Sequence, residues 1–156
     1  FYTRGMSFID MAYLKKSDLK NGIITYRRRK TGQQLTVKWE KCMEDIIAKY
    51  GENTAIRYLL PIITNPCSDE RTQYRNAICR INVALKEVAG LAGLNIPLTM
   101  HVARHCWASV AKSKNIPLSV ISEGMGHDSE ETTRIYLASL DTSVVDKANS
   151  LILKDF

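Results

Sequence analysis

The sequence predicts an α+β domain, mainly helical, with one small antiparallel three-stranded sheet. Three observations carry this. Apolar residues recur every three or four positions through most of the chain. Two β-rich runs, 23–29 and 34–39, flank a short loop that contains Gly32. A further apolar run, 58–63, supplies a third strand or a buried loop, and Pro61 confines it to an edge or an end. The 156 residues suffice for one domain with its own core.

Each element has a local reason. Phe8, Met11 and Ala12 have helical spacing, so a helix is expected over 7–14, capped by Ser7 or Thr3. The run 17–22, ending in Asn21-Gly22, reads as a turn. A hairpin follows, with its tight turn at Lys30-Thr31-Gly32-Gln33. Glu40 to Tyr50 is an amphipathic helix with Met43, Ile46 and Ile47 inward, stopped by Gly51. Ser68 or Asp69 caps a long helix to about Gly90, with Ile78, Ile81, Leu85 and Val88 as its core stripe. Residues 90–98 form a linker with two glycines and a proline. Thr99 caps a helix that ends near Lys114-Asn115. Pro117 takes the first position of the next helix, which runs to about Met125. Asp128 and Glu131 have capping-box spacing for the helix that carries Tyr136. Asp141 caps a last helix with Val144, Val145, Ala148, Leu151 and Ile152 on its apolar side.

Composition narrows the function classes. The chain carries 22 Lys and Arg against 16 Asp and Glu, a net charge of +6, which points to a polyanionic partner. Cys42, Cys67, Cys79 and Cys106 form no C-x-x-C pair, which argues against zinc-finger and thioredoxin-like classes. They read as reduced, partly buried thiols, and a cytoplasmic location is expected. No apolar run approaches the roughly 20 residues that span a bilayer. The chain opens on Phe1-Tyr2-Thr3-Arg4 without a start signal for its first helix, so a C-terminal fragment of a longer protein is expected.

The stretch 99–141 concentrates reactive side chains. His101 and Arg104 are three apart on one helix face. Arginine is a permanently charged, planar fork suited to phosphate, and a neighbouring histidine adds a hydrogen bond to the same oxygens. Gly126 ends a helix and presents His127, with Tyr136 nine residues on. A phenol near pKa 10 is a poor nucleophile until cations stabilise its anion. Donors clustered around one tyrosine would permit covalent phosphoryl transfer without a metal. His101 and His105 have the i, i+4 spacing of helical metal ligands, but Val102 stands where a zincin has glutamate. The hairpin is unusually basic at Arg27, Arg28, Arg29 and Lys30. Alternation puts Arg28 and Lys30 on one face and Arg27 and Arg29 on the other. Such charges either blunt a solvated edge or touch phosphates.

His101-x-x-Arg104, Gly126-His127 and Thr132-Thr133-x-x-Tyr136 resemble, in order and spacing, the catalytic half of the tyrosine recombinase (phage integrase) family. The resemblance covers nearly the whole chain, and residues 5–14 with the turn Arg28-x-Lys30-Thr31-Gly32 look most like integrases of Bacteroidetes mobile elements. It implies the catalytic-domain fold of that family over 1–156, without the family's N-terminal core-binding domain. Tyr136 would attack the scissile phosphate to form a 3′-phosphotyrosine. Arg104 and His101 would bind the non-bridging oxygens, and His127 would add a further bond. Lys30 would protonate the leaving 5′-oxygen. The partner would be double-stranded DNA, also met by Arg27, Arg29 and Lys38, and no cofactor or metal would be needed. The full-length protein would act as a tetramer on two duplexes, and a monomeric fragment is compatible with this. The chain departs from the family at its first arginine, whose aligned position is Ser7, with Asp10 as the following acid. Arg28 is the expected substitute, ahead of Arg4. A DNA-binding module without catalysis and a type IB topoisomerase are the alternatives.

Overall fold

The computed structural model describes residues 1–50, 57–96 and 98–138. The expected final helix from Asp141 and the Gly51 stop lie outside them. The elements run α1 (Phe8–Ala12), a 3-10 turn (Lys16–Asp18), β1 (Leu19–Lys20), β2 (Ile23–Arg27), β3 (Gln34–Lys38), α2 (Lys41–Ala48), α3 (Glu70–Leu91), α4 (Met100–Ser113), α5 (Leu118–Met125) and α6 (Glu130–Ala138). Among the described residues, no helix is long and apolar enough to cross a membrane.

The sheet has the order β1-β2-β3, all antiparallel, with Leu19 opposite Ile24 and Tyr26 opposite Leu35. Its third strand is therefore Leu19–Lys20, from the stretch expected to be a turn. Residues 58–63 form the buried-loop alternative: Tyr58 bridges Lys15, and Leu59 N–H donates to Leu14 O at 2.7 Å. Two residues are too short for strand periodicity to register in the sequence. Alternation along β2 and β3 buries Ile24, Tyr26, Leu35 and Val37 on one face. Met6, Leu14 and Met43 complete this core. Arg27 and Lys38 lie on the opposite, solvent face.

Helix caps follow the side chains that can accept. Ser7, Asp69 and Thr99 take the backbone N–H groups of Asp10, Thr72 and Val102. Pro117 sits at the N-cap of α5, one place before its expected position. Ser129, rather than Asp128, accepts from Thr132 N–H at the start of α6. Two apolar positions face outward against expectation. Val88 is 49% exposed, because α3 packs through Ala77 and Ala89 instead. Ile46 is 42% exposed, at the mouth of an apolar cavity of about 500 Å³ shared with Phe1, Tyr2 and Trp39. Cys67, Cys79 and Cys106 are exposed, and only Cys42 is half-buried. A second core, Ala108, Ala111, Ile121, Met125 and Leu137, joins α4, α5 and α6. It fixes α4 with His101 and Arg104, α6 with Tyr136, and the α5–α6 turn that carries His127.

Candidate active site

Arg104 is the centre of the site. It is 5% exposed and donates from Nη1 to Gly5 O at 2.7 Å and from Nη2 to Met125 O at 2.6 Å. Burial and the nearby Arg28 charge lower its pKa. The approach to Gly5 is close enough to need glycine: a Cβ there would lie 3.1 Å from Arg104 Cα, and the backbone has φ +67°.

His127 is held from both ring nitrogens. Arg104 Nη2 lies 3.1 Å from Nε2, and Thr133 Oγ1 lies 2.8 Å from Nδ1. Arginine only donates, so Nε2 accepts and the proton sits on Nδ1, which donates to Thr133. This neutral tautomer agrees with a pKa pushed down to about 4 by burial and by Arg104, Arg28 and Lys30. Thr133 is fully buried, and sequence reasoning gave it no role. Its signal was its place in the T-x-x-Y spacing.

Arg28 joins the same cluster from the hairpin. The strand ends at Arg27, and a turn closes with Gly32 N–H on Arg28 O at 2.7 Å. Arg28 is 7% exposed and donates from Nη1 to Gly126 O. Gly126 has φ +65°, and a Cβ there would meet Leu35 Cδ1 at 2.7 Å and Arg28 Cδ at 3.1 Å. One glycine thus ends α5, receives Arg28 and presents His127.

Asp10 locks the hairpin turn from beneath. It is 4% exposed and accepts from Ser7 Oγ at 2.6 Å and from Arg29 N–H at 2.8 Å. Arg4 is exposed, with φ +56°. Lys30 is exposed on the turn, and its charge lowers the pKa values of His101 and His127. Arg27 bonds Gly32 O at 3.1 Å, Arg29 lies over the Tyr13 ring at 3.8 Å, and Lys38 pairs with Glu40 at 3.5 Å. These three are not brought to the cluster. They line the outer side of the hairpin.

Tyr136 is half-buried on α6 among three imidazoles. His101 and His127 meet it edgewise, with ring centroids at 6.2 and 5.6 Å. His105 stacks on it at 4.1 Å, and sequence reasoning weighed that residue only as a metal ligand. Burial raises the Tyr136 pKa to about 12, opposed by the charges of Arg104 and Arg28. Burial, then Arg104 and Lys30, lower the pKa of His101, so it too is neutral at pH 7. A tyrosine, two guanidinium groups and neutral imidazoles on one surface can grip a phosphate and offer it a nucleophile.

The fold is that of tyrosine recombinase catalytic domains. The structure of XerA recombinase superposes with a TM-score of 0.68 at 22% identity, over 95% of this chain and 53% of that one. XerH site-specific recombinase, in a post-cleavage complex with palindromic difH substrate, gives 0.68 at 20% identity over 96% and 42%. The tyrosine recombinase XerC of Thermodesulfovibrio yellowstonii is 28% identical over 144 residues, 87% of this chain and 46% of that protein. The phage integrase family model matches residues 2–143, and the chain belongs to that family. It spans about half the length of the relatives it matches.

Proposed function

We propose that the chain cuts and rejoins double-stranded DNA through a 3′-phosphotyrosine at Tyr136, as the catalytic part of a site-specific recombinase of an integrating mobile element. The observation that carries this reading is the convergence of Arg28, Arg104 and His127 beside Tyr136, with both arginine charges acting on its hydroxyl. Tyr136 Oη gives up its proton to solvent as it attacks the scissile phosphorus, and the bond from phosphorus to O5′ breaks. Arg104, Arg28 and His101 bind the non-bridging oxygens as charge builds on them. His127 Nε2 is the acceptor of Arg104 and steers that guanidinium. Lys30 gives its proton to the departing O5′. The phosphotyrosine keeps the bond energy, so a second 5′-hydroxyl can reverse the step with no nucleotide cofactor. Exchange between two duplexes takes four active copies, a tetramer of the full-length protein on DNA. Arg27, Arg29 and Lys38 add phosphate contacts outside the cleavage site.

A pool of nicked duplexes, randomised around the nick, tests the reading. The chain is expected to form a protein–DNA adduct that survives detergent. Tyr136→Phe is expected to lose the adduct and keep non-covalent binding. An adduct that persists in Tyr136→Phe removes the nucleophile assignment. Binding without any adduct in the unmodified chain favours a DNA-binding module instead.

A further inference from the structure

His105 lies one helical turn after His101 on α4. Its ring and that of Tyr136 are stacked with centroids 4.1 Å apart and planes 2° from parallel. The other two imidazoles present edges to Tyr136, at interplanar angles of 83° and 69°. His105 Nδ1 is buried and, among the described residues, meets no hydrogen-bond partner. Here the contact is made by the face. Burial, followed by the neighbouring His101 and Arg104, lowers the pKa of this ring.

We propose that His105 is a positioning residue: the flat platform that sets the plane of the Tyr136 ring for attack. The inference rests on Tyr136 being the nucleophile. The reactive lone pairs of a phenolate lie near its ring plane, so the direction of that plane governs the line of attack. A parallel neighbour blocks one face and keeps the ring from turning toward α4. It also ties α6 to α4 at the reacting residue itself. A neutral platform does this without adding a charge beside the resting Tyr136 hydroxyl.

The test compares His105→Ala and His105→Phe in single-turnover adduct formation on the nicked, randomised duplex pool, with DNA concentration varied. His105→Ala is expected to lower the maximal rate about 100-fold, as a misplaced reacting group does, with the half-saturating DNA concentration unchanged. His105→Phe restores a flat face without nitrogens and is expected to recover most of the rate. A second readout needs no DNA. Tyr136 ionisation, followed by NMR of ring-labelled tyrosine, is expected to fall from about 12 toward its ordinary value of 10 in His105→Ala and to stay high in His105→Phe. A wild-type rate in His105→Ala overturns the platform. So does a His105→Phe rate as low as that of His105→Ala, which would mean the imidazole nitrogens are required. If Tyr136→Phe is inactive while His105→Ala is fast, the platform alone fails. If Tyr136→Phe still forms the adduct, the nucleophile assignment fails and takes the platform with it.

Discussion

Arg28 and Arg4 separate cleanly by environment. Arg28 is buried against Gly126 beside Arg104, whereas Arg4 is exposed, next to the Gly5 that accepts from Arg104. On the proposed reading, Arg28→Ala abolishes adduct formation and Arg4→Ala leaves it within about threefold, the range of a surface change of ±0.5 kcal/mol. The reverse order in the nicked-duplex assay would move the first arginine to position 4. His127 makes a separate statement about stability. Its folded pKa is about 4 against an ordinary 6.5, so between these values the unfolded chain binds the extra proton. Stability is therefore full above pH 6.5 and declines as pH falls from 6.5 toward 4. Urea midpoints measured across that window should drop, and Thr133→Val should alter the profile, because it removes the acceptor of Nδ1–H.

Among the elements, the hairpin turn depends most on one distant side chain. Asp10 on α1 accepts from Arg29 N–H, the residue between Arg28 and Lys30. Removing it in Asp10→Ala leaves a backbone donor unpaired and should cost about 1–3 kcal/mol in chemical denaturation. It should also slow cleavage more than it weakens DNA binding, because it loosens Arg28 and Lys30 together. The hairpin, the extent of α4 and the Thr99 cap were legible in the sequence, and the caps of α1 and α3 were narrowed to two candidates each, since each depends on neighbours within four residues. The strand Leu19–Lys20 was not, because two residues become a strand only by pairing with β2. Val88 and Ile46 were misread for a related reason. Helical spacing shows which residues share a face, but the packing partner decides which face is buried.

For the whole molecule, the site is a product of completed folding. Arg104 meets Gly5 at a separation of 99 residues, and Arg28 meets Gly126 at 98. Motif spacing exposed Arg104, His127 and Tyr136, but no sequence pattern announces a carbonyl such as Gly5 O or Met125 O as a partner. The local motif 99–136 cannot close the cluster without the first 30 residues. Thermal or urea unfolding followed by the Tyr136 NMR signal should therefore coincide with unfolding followed by far-UV circular dichroism. An earlier loss of the Tyr136 signal would mean that α6 detaches while the rest of the domain holds.

The guanidinium of Arg104 has five N–H groups, and the bonds to Gly5, Met125 and His127 occupy three of them. Among the described residues two remain, one on Nη1 and the one on Nε, and the planar group fixes where they point. Arg104 is then a one-way socket rather than a roaming charge. On the proposed reading, an incoming phosphate meets only the Nη1 and Nε hydrogens that these three bonds leave over. On that reading, selectivity for how the substrate lies, and not only for its charge, is built into this residue before any partner is met.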